Sequence, residues 1–69
     1  TGYVKGFPDL QITEARKNYH GLFIELKTKT GRITPHQKQW IEDLNERGYL
    51  AKCCKGMEEA MDLIDWYLK

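Results

Sequence analysis

Hydrophobic and polar residues alternate most regularly over His20 to Thr28. Leu22, Ile24 and Leu26 fall on one side of an extended chain, and Phe23, Glu25 and Lys27 on the other. Period-two alternation with branched and aromatic residues predicts a strand, here from about Tyr19 to Lys29. A shorter alternation, Leu10 and Ile12 against Asp9 and Gln11, predicts another from about Asp9 to Glu14. Between them Arg16-Lys17-Asn18 is polar and turn-forming, with an Asn that tolerates positive φ. A hairpin closed on those three residues pairs Ala15 with Tyr19 and sets Asp9 opposite Glu25. A two- or four-residue loop would put the acids out of step. Before the hairpin, Thr1 to Lys5 either begins the first strand or forms an extended arm. Gly6-Phe7-Pro8 then interrupts pairing, because Pro8 has no N–H to donate.

The second half reads as helix, strand, helix. Thr34-Pro35-His36-Gln37 combines an N-cap, a first-turn proline and a capping-box residue. The helix it opens should run to about Arg47 and stop at Gly48. Its apolar stripe, Trp40, Ile41 and Leu44, extends backward onto Gln37, which therefore faces the sheet. Tyr49 to Cys54 predicts a short strand, parallel to a neighbour through a right-handed crossover. A last helix, Met57 to Leu68, is expected to bury Met57, Ala60, Met61, Ile64 and Leu68 and to expose Glu58, Glu59, Asp62 and Asp65. Trp66 and Tyr67 either cap the core or join a dimer interface. The fold class is α/β: a mixed sheet, antiparallel hairpin plus parallel strand, flanked by helices.

Sixty-nine residues bound this to one domain, 1–69, with a core small enough to gain from a metal or a second subunit. At 41% hydrophobic residues the composition is globular, and no run approaches membrane-spanning length. A start at Thr1, without a signal peptide, fits a processed or trimmed chain. Cys53 and Cys54 point to opposite faces of a strand, so they read as free thiols of a reducing, cytoplasmic setting. The net charge of +1 hides an uneven spread. Residues 1–40 carry seven Lys/Arg against three acids, and 41–69 carry four against seven. The basic half holds the opposed acids, which suits a phosphate partner, although taken alone such an excess is better read as solvated surface charge.

Opposed residues on antiparallel strands lie roughly 5 Å apart at Cβ, so Asp9 and Glu25 repel unless they share a proton or a cation. Mg²⁺ or Mn²⁺ is the economical partner for a pair of carboxylates. Lys27, two residues from Glu25, shares its strand face. The plainer alternative is a surface ion pair between Glu25 and Lys27. For Gln37 it is the capping box alone. For Tyr19, His20 and His36 it is packing or a loop position. Lys29, Arg32 and Lys38 flank the loop into the first helix and are the better phosphate contacts, with His36 beside them.

Gly6-x-Pro8-Asp9, then Glu25-Leu26-Lys27, then a helix opening Thr34-Pro35-x-Gln37, resembles the VRR-NUC family of the PD-(D/E)XK nucleases over nearly the whole chain. The resemblance is to the small free-standing members of bacterial and phage type. It implies a restriction-endonuclease-like core and metal-dependent phosphodiester hydrolysis. Asp9, Glu25 and the Leu26 carbonyl would be metal ligands. Asp9, Glu25, Lys27 and Gln37 would form the catalytic set. Family members usually carry a further acidic residue on a helix before the first strand, and the chain starts too late to include it. Branched DNA, Holliday junctions among it, a homodimer, and no small-molecule cofactor are the implied partners. The rival reading is a non-catalytic nucleic-acid-binding module on the same fold. A third is an interaction domain whose metal only braces the core.

Overall fold

The computed structural model describes residues 7–69. Its elements are β1 (Leu10–Ile12), β2 (Leu22–Lys27), α1 (Pro35–Glu46), β3 (Leu50–Lys55) and α2 (Met57–Leu68). The strands form one sheet in the order β1-β2-β3, with β1 antiparallel and β3 parallel to the central β2. The expected arm or strand at Thr1 to Lys5 lies outside the described residues, as does Gly6. β1 is shorter than Asp9 to Glu14, and β2 shorter than Tyr19 to Lys29. No helix among the described residues is long and apolar enough to cross a membrane.

β2 is buried on both faces, as a central strand must be. Leu22 and Ile24 pack with Cys54, Ala60 and Tyr67 under α2. Phe23 packs with Leu44 and Ala51 under α1, flanked by Trp40, Ile41 and Tyr49. Phe7 closes that second cluster, with its ring edge-on to Trp40 at 4.9 Å and to Phe23 at 5.8 Å. The sheet is thus sandwiched between two helices, each covering one face.

The turn differs from the three-residue closure expected. Arg16 bridges to Tyr19, so Lys17 and Asn18 alone form the tip, both at positive φ (52° and 71°). That is the two-residue geometry whose twist matches a hairpin. Tyr19 thus pairs with Arg16 and not with Ala15, yet the strands pair Leu10 with Ile24 and Ile12 with Leu22, the same register that the three-residue closure would have set. Between tip and ladder the first arm carries one more residue than the second, and this extra residue in Thr13–Ala15 restores the step that the shorter turn removed.

α1 begins as expected, with Thr34 as N-cap and a complete capping box, and its chain turns at Gly48 (φ 94°). Near its end Asn45 accepts from the Ala51 N–H and donates to the Ala51 carbonyl, both over 3.0 Å, which pins the helix to β3. α2 is rotated from the expected stripe. Ala60 and Tyr67 are fully buried, whereas Met57, Met61 and Leu68 are exposed. Tyr67 decides this rotation: its hydroxyl donates to the Glu14 carbonyl over 2.6 Å. Trp66, on the outer side, lies under the Lys17 ammonium at 4.9 Å.

Candidate active site

Pro8 ends the hairpin ladder and Asp9 takes over from it. Carried one pair beyond Leu10 and Ile24, the register sets Asp9 against Glu25; a second step sets Pro8 against Leu26. A regular hydrogen-bonded pair would exchange two main-chain bonds at Leu26. Buried Pro8 has no N–H, so one of the two cannot form. The other is replaced: the Leu26 N–H donates to Asp9 Oδ2 over 2.9 Å. The C=O of an extended residue points to the same edge as its N–H. The Leu26 carbonyl therefore faces the Asp9 side, where Pro8 offers it no donor.

Among the described residues Glu25 is the one buried polar or charged residue, 3% exposed. Its Oε2 accepts from Gln37 Nε2 over 3.0 Å and lies 3.7 Å from Lys27 Nζ. Its Oε1 is buried with no hydrogen-bond partner. Burial pushes the Glu25 carboxyl above its ordinary pKa, and the Asp9 carboxyl beside it pushes the same way; Lys27 pulls it back down. Two carboxylates have no hydrogen to share, so a proton or a cation must join them. Among the described residues no group of three or more His, Cys, Asp and Glu gathers to hold a metal. The donor set is therefore two carboxylates and the Leu26 carbonyl, with the stranded Oε1 among them. It fits a hard divalent ion that completes its shell with water and phosphate oxygens.

Gln37 resolves the choice between cap and site by serving both at once. Its Oε1 accepts from the Thr34 N–H over 2.9 Å while its Nε2 reaches Glu25. The structure thus brings Asp9, Glu25, Leu26, Lys27 and Gln37 to one place at the β1–β2–α1 junction. Lys29, Arg32, His36 and Lys38 are all exposed, along the loop into α1 and its first turns. His20 is exposed, with its ring edge-on to Tyr49 at 5.5 Å, and Tyr19 packs toward Tyr67. Cys53 and Cys54 are free thiols, and burial pushes Cys54 up.

Lys55 was not singled out by sequence reasoning. It pairs with Lys27 across the parallel ladder, and its Nζ donates to the Gly31 carbonyl over 2.8 Å. The 28–33 loop is thereby tied down beside Lys27. No spacing in the sequence announces that contact, since it depends on the fold of the loop.

The VRR-NUC domain family profile matches residues 1–58. A solved structure described as a VRR_NUC domain protein superposes with a TM-score of 0.92 at 43% identity, over 97% of this chain and 56% of its own. The chain thus spans little more than half of that protein's length. No curated protein matches. The chain belongs to the VRR-NUC family of the PD-(D/E)XK nuclease superfamily, and is a nuclease-type domain.

Proposed function

We propose that this domain is a Mg²⁺- or Mn²⁺-dependent endonuclease that hydrolyses phosphodiester bonds in branched DNA, Holliday junctions among them. The observation that carries the reading is Glu25 Oε1: buried, without a partner, and next to a second carboxylate. Asp9, Glu25 and the Leu26 carbonyl would hold the ion. The chemistry such an ion supplies is activation of water and neutralisation of phosphate charge.

Lys27 lies on the same face as Glu25, with its side chain 20% exposed, so its ammonium can reach both the acids and solvent. In that place it orients the attacking water and stabilises charge on the phosphate oxygens. Gln37 holds Glu25 Oε2 still. Lys29, Arg32, His36 and Lys38 would contact the DNA backbone and read shape rather than base sequence. A homodimer would present two such sites to the paired strands of a junction.

The test uses four-way, flapped and linear DNA with Mg²⁺, Mn²⁺ or EDTA, for wild type, Glu25→Gln and Lys27→Ala. Cutting of branched DNA that needs the metal and both side chains supports the reading. Binding with no metal-dependent cutting overturns it in favour of a non-catalytic module.

A further inference from the structure

The N-cap of α1 and the acidic site share one side chain, and that sharing has a direction. A glutamine amide can be turned end for end, exchanging its oxygen and its NH₂. Here both ends are committed. Oε1 faces the Thr34 N–H at 2.9 Å, which can only donate. Nε2 faces Glu25 Oε2 at 3.0 Å, where an ionised carboxylate can only accept. Turning the amide would set donor against donor and acceptor against acceptor.

Thr34 makes a second bond in the same box: its Oγ1 accepts from the Gln37 N–H over 3.2 Å. The two Thr34 contacts do different things. The hydroxyl caps the helix main chain. Of the two, only the N–H touches the Gln37 side chain, so from the helix end it is the contact that holds the amide oxygen away from Glu25 and turns Nε2 toward it. With Oε2 so engaged, the oxygen left without a partner is Oε1, on a residue that is 3% exposed.

We propose that Thr34 is a positioning residue of the acidic site. Its main-chain N–H sets the Gln37 amide so that Nε2 holds Glu25 Oε2 and Oε1 stays open for the cation. The cap is then part of the site, and the helix start is coupled to the carboxylate through one side chain. This rests on the reading of Asp9 and Glu25 as a cation site.

Proline is the substitution that isolates the N–H. Thr34 has φ −83° and ψ 165°, a backbone close to proline's φ of about −65°, so Thr34→Pro removes the donor without forcing the chain. Thr34→Ala removes only the hydroxyl and serves as the control. Mn²⁺ affinity is measured on the whole protein without DNA, by calorimetry or electron paramagnetic resonance, with circular dichroism to follow helix content. Thr34→Ala should bind Mn²⁺ within about threefold of wild type, and Thr34→Pro should bind at least about tenfold more weakly, the usual scale for an outer-shell partner.

Equal affinities for folded Thr34→Pro and Thr34→Ala overturn the inference while leaving the cation site standing. A wild-type protein that binds no Mn²⁺ overturns the site itself, and the inference with it. If Thr34→Pro does not fold, scalar couplings across hydrogen bonds in the wild type decide. Couplings from Thr34 N to Gln37 Cδ and from Gln37 Nε2 to Glu25 Cδ support the arrangement, and absence of the first overturns it.

Discussion

The Leu26 N–H donates to Asp9 Oδ2 over 2.9 Å, a side-chain bond standing where the hairpin ladder would have placed a main-chain one. This bond locates the acid of the first strand by the backbone of the second. Leu26 lies between Glu25 and Lys27, so Asp9 is referred to the same stretch that carries the other two charged groups. The site therefore inherits its geometry from the sheet, with α1 adding Gln37 from above.

Lys27→Met should separate catalysis from metal binding. The change keeps the aliphatic stem and removes the ammonium 3.7 Å from Glu25 Oε2. Single-turnover cleavage of a four-way junction should fall by roughly 10²- to 10⁴-fold. Mn²⁺ affinity should hold or rise, since a competing cation is gone. Loss of Mn²⁺ binding alongside cleavage would assign Lys27 to the scaffold instead.

Glu25 makes stability depend on pH in a stated direction. Its folded pKa is raised above the ordinary 4.5 by burial first and by Asp9 next. A group of this kind stabilises the fold while it holds its proton. Its contribution is complete below 4.5 and is lost as pH climbs through the raised folded value. In EDTA the melting temperature of wild type should therefore fall across that window relative to Glu25→Gln. Saturating Mg²⁺ should remove the fall, because the ion binds the charged form. Parallel curves for the two proteins in EDTA would show that Glu25 is not strained.

The central features were legible because period-two alternation is unambiguous in β2. Leu22, Ile24 and Leu26 against Phe23, Glu25 and Lys27 has one solution for the faces of β2, whereas the hairpin register rested on a three-residue closure that the structure does not have. The route to that register was not legible. A two-residue turn at Lys17-Asn18 and an extra residue in Thr13–Ala15 cancel each other, and local propensity shows neither the shift nor its repair. The rotation of α2 was hidden for another reason. Met57, Met61, Leu63, Ile64, Trp66, Tyr67 and Leu68 cover more than one face, so periodicity cannot choose among stripes. A tertiary hydrogen bond from Tyr67 to Glu14 and the small Ala60 against the sheet make the choice. At Gln37 the sequence suggested both a cap and a site residue. Only the fold shows one amide doing both together.

Tyr67→Phe tests that choice. Tyr67 is fully buried and its hydroxyl meets the Glu14 carbonyl. Removing the hydroxyl should cost about 0.5–1.5 kcal/mol. In a domain of this size each kcal/mol lowers the melting temperature by about 4–8 °C. Mn²⁺ affinity should not change, because Tyr67 packs on the sheet face away from Glu25. A shift in metal binding without a shift in melting would contradict the two-face arrangement.

Anomalous diffraction from a crystal grown with Mn²⁺ addresses the cation site directly. The account predicts a peak between Asp9 and Glu25, about 2.0–2.4 Å from Glu25 Oε1 and within reach of the Leu26 carbonyl. Saturating Mn²⁺ with no peak there, or with the two carboxyls joined by a shared proton instead, would contradict it.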